Sequence, residues 1–340
     1  MDSIIMSTSS SPIVGVAAEA SFALGPWLQK RRQAIALPLM FALVIVVFSI
    51  WAPGFLSSDN MTNVARQSVF LLIVALGQMI VLICGQMDLS VGSVVSLTSV
   101  VSATLMASVY AALPESQGLA IAAGLGGGLI VATIVGVLNG LGTAWLGIPS
   151  FMMTLGMSLV LAGVTLLISG GAPLYGLPPK LGDIFGVGQW AGVPVPVLVA
   201  LLLVVATYVL LEWTRFGRHL YAAGGNTRAA QLSGVRTGRV ILASFVLASL
   251  MAVLSGLLMT ARLGTGESTI GSSLPLESIA ACVIAGVSLF GGRGRTAAVV
   301  VGTLLIMLVE NGLNLMQVGA YAQSITIGSI LIFAMAVARH

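Results

Sequence analysis

Long uncharged stretches recur along the chain from residue 34 onward, and they constrain the fold more than any other feature. Most of them are about 18 residues or longer, the length that a helix needs to cross the ~30 Å hydrocarbon core of a bilayer. Only 7% of the 340 residues are charged and 58% are hydrophobic, whereas about 25% of the residues in soluble domains are charged. The sequence therefore predicts an all-α integral membrane protein.

These stretches predict about ten transmembrane helices. The predicted spans are 34–51, 66–84, 88–110, 117–143, 151–169, 194–213, 240–260, 274–290, 296–314 and 321–338. The second and third are separated only by a short polar break at residues 85–88, which a kinked helix lining a cavity would also explain. The predicted transmembrane domain covers residues 34–338, and the Ser/Ala-rich residues 1–33 are predicted to form a cytosolic tail.

The basic residues predict how these spans are oriented. If the amino terminus is cytosolic, the outer side holds only Arg66, Lys180 and Arg262. The inner side then holds the other eleven: Lys30, Arg31, Arg32, Arg215, Arg218, Arg228, Arg236, Arg239, Arg293, Arg295 and Arg339. This asymmetry is typical of membrane proteins, whose cytoplasmic loops are rich in Lys and Arg. We therefore expect a multi-pass membrane protein, surrounded by lipid, with both termini in the cytoplasm.

The few residues capable of covalent or metal chemistry are scattered. Cys84 and Cys282 lie inside or beside apolar stretches, as small buried hydrophobic residues do, so a disulfide framework is not indicated. His219 and His340 are far apart and show no metal-ligand spacing. No nucleophile, acid–base pair or metal cluster appears in or near the spans. We expect neither an enzyme nor a nucleic-acid-binding protein.

The chain also lacks a nucleotide-binding loop. The phosphate-binding pattern G-x-x-x-x-G-K-[ST] is absent. The glycines at positions 124–128 lie inside an apolar span, where glycines four residues apart let helices approach closely. We therefore expect this chain to bind no cofactor itself.

The most informative polar segment is the predicted cytosolic loop 214–239. It carries five of the fourteen basic residues. Asn226 is a favourable helix N-cap, the residues from Thr227 to Ser233 can be helical, and Gly234 suits a left-handed helix terminus. Because a helix this short is unstable alone in water, the protein or a partner must hold it. A solvated basic loop that keeps the segment cytosolic is the alternative interpretation.

Four sequence blocks resemble the ribose-type permeases of ATP-binding-cassette importers. The first is the loop, through Gly224, Gly225, Asn226, Ala229, Ala230, Ser233 and Gly234. The others are GQMDLSVGS (85–93), SLFGGRGR (288–295) and ENGLN (310–314). The resemblance spans roughly residues 60–338. Gln86 and Met87 depart from it, since the family more often has a small or apolar pair before the Asp-Leu-Ser.

The resemblance implies a cobalamin-importer-like (type II) permease fold of ten spans. It also implies a location in the bacterial inner (plasma) membrane and several partners: two ATPase subunits, which use ATP and Mg²⁺, a periplasmic sugar-binding protein, and a second permease that is a copy or a paralogue. The segment that would couple to the ATPase comprises Gly224, Gly225, Asn226, Ala229, Ala230, Leu232, Ser233, Gly234 and Arg236. Asn139-Gly140-Leu141 and Asn311-Gly312-Leu313 end spans of opposite direction, which is compatible with an inverted repeat.

Polar residues within the spans are candidates for a translocation path or gate. They are Asp88, Ser90, Ser93, Ser96, Asn139, Asn311 and Asn314. Hydroxyls and amides suit a neutral cargo such as a sugar or polyol. Small polar residues also pack membrane helices together, so packing is the alternative for the serines and asparagines. Asp88 could cap the third span or act in a gate.

Two other kinds of protein remain as alternatives. An ion-coupled secondary carrier of a small neutral solute usually has several ionisable residues near the membrane centre, where this chain has only Asp88 and Glu310 as candidates. A membrane enzyme would need the catalytic groups that the spans lack. For the importer interpretation, pentoses, hexoses, polyols and a furanosyl signal molecule are all open as cargo.

Overall fold

The fold consists almost entirely of helices. The computed structural model describes residues 26–319, 321–326 and 328–329, with side chains described from residue 37 onward. The helices are α1 (Pro26–Trp51), α2 (Ser58–Ile83), α3 (Val91–Ala112), α4 (Gln117–Ala144), α5 (Ser150–Ser169), α6 (Pro179–Leu181), α7 (Val195–Trp213), α8 (Arg215–Gly225), α9 (Thr227–Leu232), α10 (Thr237–Leu263), α11 (Leu274–Ile284) and α12 (Thr296–Leu315). A π-helical turn (Gly182–Gly186) follows α6, and the two-residue strands β1 (Gln189–Trp190) and β2 (Val193–Pro194) pair antiparallel. Residues 321–326 and 328–329 are also helical.

Seven of these helices are long and apolar enough to cross a membrane. They are α2, α3, α4, α5, α7, α10 and α12, which correspond to the second to seventh and the ninth predicted spans. The apolar part of α1 within the described side chains is Leu37–Trp51, and α11 is a shorter apolar helix. Most of the tenth predicted span, 321–338, lies outside the described residues. The protein is an all-α integral membrane protein.

Two predicted span boundaries are wrong. The eighth span was expected to reach residue 290, but α11 ends at Ile284 because Gly286 takes a left-handed conformation with φ +79°. The N–H groups of Gly286 and Val287 then donate to the carbonyls of Val283 and Cys282, which closes the helix. The second span begins at Ser58 rather than 66, because Ser57 caps a polar first turn by accepting from the Asn60 N–H.

The break between the second and third spans separates two distinct helices. α2 ends in a left-handed Gly85, whose N–H donates to Leu82 O at 2.9 Å. The N–H of the next residue, Gln86, donates to Val81 O at 3.1 Å. This pair of bonds is a Schellman motif, which terminates a helix. The polar residues after Gly85 therefore lie in an extended connection inside the protein.

The centre of the bundle is α2, and it is covered on most sides. Of its most apolar 18-residue window, 83% is buried, compared with 61% for α10 and 56% for α3. α10 packs against α4, α2 and α3. The corresponding windows of α5 and α7 are only 17% and 22% buried. The protein thus has a covered core of three helices and an outer layer with large exposed apolar faces.

Glycines in α4 allow the close packing that the sequence predicted. A Cβ on Gly124 would lie 2.8 Å from the backbone carbonyl oxygen of Ser102 in α3. One on Gly136 would lie 2.7 Å from Val246 Cα in α10. Since both distances are shorter than van der Waals contact, only glycine fits, and α4 lies directly against the two core helices.

The two ends of the bundle are built differently. One end, called the α9 end below, contains the carboxyl end of α2, helices α8 and α9, and the connection 285–295 between α11 and α12. The opposite end contains the π-helical turn and the β-hairpin. There Leu174 and Gly266 exchange two backbone hydrogen bonds of 2.9 Å, which join the loops after α5 and α10.

Candidate functional site

Helix α9 begins and ends as the sequence predicted. The Asn226 side chain accepts a hydrogen bond from the Ala229 N–H at 2.9 Å, as an N-cap does. Gly234 is left-handed, with φ +83°, and its N–H donates to Gln231 O at 2.9 Å. The Val235 N–H donates to Ala230 O at 3.0 Å and completes a Schellman motif. The predicted helix of seven residues has six, Thr227–Leu232.

One side of α9 is attached to the protein and the rest is exposed. Ala230 is buried, and Gln231 Nε2 donates to Thr237 Oγ1 of α10 at 2.9 Å. Leu232 is 83% exposed, which is unusual for a leucine beside a well-packed helix. The other predicted coupling residues are exposed except Gly224, which is half-buried: Gly225, Asn226, Ala229, Ser233, Gly234 and Arg236. The arrangement presents a short, preformed helix with a free apolar tip among basic residues.

Helix α8 is an element that the sequence interpretation missed. Arg215–Gly225 was predicted as irregular loop, but it forms eleven residues of helix capped by the Thr214 hydroxyl, which accepts from the Gly217 N–H at 3.2 Å. Its strongly amphipathic sequence was the available signal, with Leu220 and Ala223 buried and charged residues facing outward. α8 carries α9 at its end, because Thr227 Oγ1 donates to Ala223 O at 2.8 Å.

Glycines from three distant segments meet beneath α9. A Cβ on Gly224 would collide with the carbonyl oxygen of Ile83 at the end of α2. A Cβ on Gly292, in the connection before α12, would lie 2.8 Å from Gly225 Cα. The Gly292 N–H donates to Ile83 O at 2.8 Å. This contact, called the glycine junction below, holds α8, α2 and the connection 285–295 backbone to backbone.

The Tyr221 side chain adds a hydrogen bond beside the glycine junction. Its hydroxyl donates to the carbonyl oxygen of Gly294 at 2.9 Å. Burial, followed by the nearby Glu212 carboxylate, raises the pKa of Tyr221 above its ordinary value, against the opposing effect of Arg295. The phenol therefore stays protonated and remains a hydrogen-bond donor at physiological pH.

Asp88, Ser90 and Asn139 form one buried cluster near the α9 end. Asp88 Oδ1 accepts from the Ser90 N–H at 2.8 Å and from its hydroxyl at 2.6 Å, just before α3 begins. Asn139 Nδ2 of α4 donates to the same hydroxyl at 2.8 Å. All three residues have no exposed surface, and among the described residues neither Asp88 Oδ2 nor Asn139 Oδ1 has a hydrogen-bond partner. Asp88 Oδ1 bonds to Ser90, the residue directly before α3, and among the described residues α3 has no side-chain cap bond. The capping role and the gate role of Asp88 both stay predictions.

The other two candidate serines of α3 bond to different neighbours. The Ser93 hydroxyl donates to Ser158 O of α5 at 3.0 Å. The Ser96 hydroxyl accepts from the Gly271 N–H, between α10 and α11, at 3.1 Å. Both hydroxyls thus join segments of this chain, and the two do not share one groove. Their role in a path stays a prediction.

The remaining candidates lie on α12, away from the Asp88 cluster. Asn311 and Asn60 of α2 exchange two side-chain hydrogen bonds of 2.8 and 2.9 Å. Asn314 is exposed. The structure therefore brings three of the seven predicted path residues together, places Ser93, Ser96 and Asn311 in separate contacts, and leaves Asn314 exposed.

An apolar groove of about 560 Å³ lies between α3, α4 and α5. Its walls include Leu97, Val135 and Met157, and every lining residue is apolar or glycine. Without a hydrogen-bonding group, this groove cannot replace the water around a polar cargo. Within the described residues, no three His, Cys, Asp or Glu side chains are close enough to hold a metal ion.

Known proteins resemble this chain over nearly its full length. It is 34% identical to the ribose import permease protein RbsC of Escherichia coli strain K12 over 314 residues, which cover 92% of this chain and 94% of that protein. It is 36% identical to the ribose import permease protein RbsC of Bacillus subtilis strain 168 over 301 residues, 88% of this chain and 90% of that protein. It is 34% identical to the D-allose transport system permease protein AlsC of Escherichia coli K12, with the same coverage.

The family comparison agrees with these relatives. Residues 60–335 match the family described as branched-chain amino acid transport system, permease component. No solved structure matches the chain. The family match and the identities of 34–36% confirm the resemblance seen in the four sequence blocks. The chain belongs to the ribose-type permeases of ATP-binding-cassette importers.

Proposed function

We propose that this chain is the membrane permease subunit of an importer that carries a sugar or polyol into a bacterial cell. The observation that carries the proposal is α9, a short capped helix held out from the bundle with Leu232 83% exposed. A free apolar tip at the end of a membrane bundle fits a soluble partner that binds it. The relatives named for ribose and allose transport support a monosaccharide as cargo.

In this proposal α9 binds in a cleft of a separate ATPase subunit. Six residues are too few for a stable helix in water, and the Asn226 cap and the Schellman motif at Gly234 reduce the ordering that binding would otherwise require. Arg228, within α9, and Arg236, which follows it, are exposed and can contact acidic groups of the partner. ATP and Mg²⁺ belong to the ATPase, and this chain binds no cofactor.

The proposed topology places the α9 end in the cytoplasm. α1, the seven long helices, α11 and the predicted span 321–338 then make ten spans with both termini cytoplasmic, in a type II permease fold. The basic residues Arg215, Arg218, Arg228, Arg236 and Arg239 lie in or beside α8 and α9, which supports this orientation. Residues 1–33 form the cytosolic tail and 34–338 the permease domain, and the Asn-Gly-Leu echo of α4 and α12 suits an inverted repeat.

A second permease, either a copy or a paralogue, completes the transporter in this proposal. The exposed faces of α5 and α7 are apolar and are suited to a second membrane subunit and to lipid. The opposite end of the bundle would receive the periplasmic binding protein, which delivers the cargo. Glu267 and Glu277 lie in and after the loop between α10 and α11 at that end and offer charge for this contact.

Reconstitution tests the proposal directly. The permease, the candidate ATPase and the candidate binding protein are placed in proteoliposomes, and uptake of radiolabelled ribose, allose and galactose is measured with and without ATP. We expect uptake of at least one of these sugars that needs both ATP and the binding protein. Uptake that proceeds without ATP but follows an ion gradient would support the ion-coupled carrier instead.

A further inference from the structure

The irregular segment 86–90 between α2 and α3 is hydrogen-bonded to the first turns of α5. The Met87 N–H donates to the Ser150 hydroxyl at 3.1 Å. The Leu89 N–H donates to the Thr154 hydroxyl at 3.0 Å. Because Ser150 and Thr154 are one helical turn apart, their hydroxyls lie on one side of α5 and accept from alternate residues of the segment. The backbone of the segment therefore follows the position of α5.

The same segment begins at the glycine junction. Gly85, directly before it, lies against Gly224 Cα of α8, where an added Cβ would be 3.8 Å away. Ile83 O, two residues earlier, accepts from the Gly292 N–H at 2.8 Å, and no side chain would fit on Gly224 beside it. Contacts between backbones have no flexible side chains to absorb a displacement. A movement of α8 would therefore displace the segment by a similar distance.

The link between α9 and the junction is equally short. The Asn226 N–H donates to Ala222 O at 3.1 Å, and Thr227 Oγ1 donates to Ala223 O at 2.8 Å. α9 is thus attached to the last turn of α8, which contains Gly224. A continuous path of backbone contacts and hydrogen bonds runs from the exposed α9 through the junction and the segment to α5.

The path ends at α5, which is the least buried of the seven long apolar helices. Only 17% of the most apolar window of α5 is buried, whereas the segment is also held on its other side by the Asp88–Ser90–Asn139 bonds to α4. α4 is fixed against α10 and α3. A displacement of the segment therefore moves α5 more easily than α4. α5 is therefore the helix expected to move.

We propose that segment 86–90 transmits displacement of α9 to α5, with Ser150 and Thr154 as the positioning residues that connect them. This inference rests on the proposed function, in which ATP drives the displacement of α9. It gives the hydroxyls of Ser150 and Thr154 a mechanical role that the packing of the core does not require.

The test uses a reporter on α5 in the complete transporter complex. Leu167→Cys places a thiol in the last turn of α5, at a position that is 84% exposed at the end of the span, while the native Cys84 and Cys282 are buried and do not compete. The rate of maleimide modification is measured without nucleotide and with ATP and vanadate. The reporter is combined with the double change Ser150→Ala and Thr154→Val, or with Thr165→Val as the matched control.

Thr165 is a suitable control because it lies on the same helix and is also buried. Its hydroxyl donates only to Leu161 O within α5, at 2.6 Å. We expect ATP to change the modification rate in the otherwise native chain and in the control. The double variant should reduce this ATP-dependent change about fivefold, since two weak hydrogen bonds are lost, while its co-purification with the ATPase and its ATP hydrolysis stay as in the control.

Four results separate the possibilities. If ATP leaves the rate unchanged in the otherwise native chain although the complex hydrolyses ATP, α5 does not move and the transmission inference is wrong. If the native chain does not co-purify with the ATPase, the proposed function itself fails. If the double variant responds to ATP as the control does, the transmission inference is wrong and the proposed function stands. If the double variant no longer co-purifies with the ATPase, the hydroxyls hold the fold together and the inference is overturned.

Discussion

Helices α2 and α5 have nearly the same hydropathy and opposite surroundings. Their most apolar windows have mean hydropathies of 2.0 and 2.2, but 83% of the first and 17% of the second is buried within the chain. Hydropathy measures the preference for leaving water, which lipid and protein satisfy equally. What distinguishes the two helices is the shape of their neighbours, and this suggests that α2 is the fixed axis of the bundle and α5 a helix that a second subunit or lipid covers.

The largest difference between α2 and α5 is expected when leucine replaces a glycine of each helix. A Cβ on Gly77 of α2 would lie 3.0 Å from Ala248 Cα and 3.1 Å from Met251 Cβ, whereas one on Gly163 of α5 would have nothing within 4 Å. We expect Gly77→Leu to abolish the folded protein and Gly163→Leu to leave it intact, as measured by size-exclusion chromatography in detergent. Equal profiles for the two variants would contradict the contrast between a covered and an open helix.

A negative charge on α9 should abolish transport without lowering the stability of the folded protein. Ala229 is exposed and its replacement by Glu adds a negative charge beside Arg228 without disturbing a buried contact. We expect Ala229→Glu to abolish ATP-dependent uptake while thermal stability in detergent is unchanged. Glu115→Ala, between α3 and α4 at the opposite end, serves as a surface control that should retain uptake. Normal uptake by Ala229→Glu would refute the docking role of α9.

Truncation of a single apolar side chain should give a smaller difference of the same sign. Ile80 of α2 has no exposed surface, and Leu159 of α5 is 71% exposed. We expect Ile80→Ala to lower the free energy of unfolding by about 2–5 kcal/mol because it leaves a cavity, and Leu159→Ala to change it by less than about 0.5 kcal/mol. Reversible unfolding in mixed detergent measures both. A large loss from Leu159→Ala would show that α5 is covered within one chain.

The smallest effect concerns the polar contact between α2 and α12. Asn60 and Asn311 form two reciprocal amide hydrogen bonds. A double-mutant cycle with alanine at both positions should give a coupling free energy of about 0.6 kcal/mol, the average for hydrogen bonds between membrane helices. A coupling free energy near zero would show that packing alone holds α12 against α2.

Much of the fold could be predicted because membrane helices are long and locally specified. Seven predicted spans correspond to long apolar helices, and the Asn226 cap and the left-handed Gly234 follow from residue chemistry alone. The ends were less accurate where polar residues extend a helix, as at Ser58, or where glycines shorten it, as at Gly286. Mean hydropathy carries no information about either.

The site was predictable only in its local parts. The glycine junction joins Ile83, Gly224 and Gly292, which are far apart in sequence, and no short-range pattern indicates that a Cβ on Gly224 would meet the end of α2. The hydroxyls of Ser150 and Thr154 were missed for the same reason, since their partners lie in a different loop. Tertiary packing determines such contacts, and it is not encoded in spacing.

Cross-linking from α9 tests the central claim most directly. A photoreactive benzoylphenylalanine replaces Leu232, which is 83% exposed at the tip of α9, or Trp190, which is 73% exposed at the opposite end. Membranes that also contain the candidate ATPase are illuminated, and adducts are identified by mass spectrometry. The account predicts an adduct with the ATPase from position 232 and none from position 190. An ATPase adduct from position 190, or none from position 232, would contradict it.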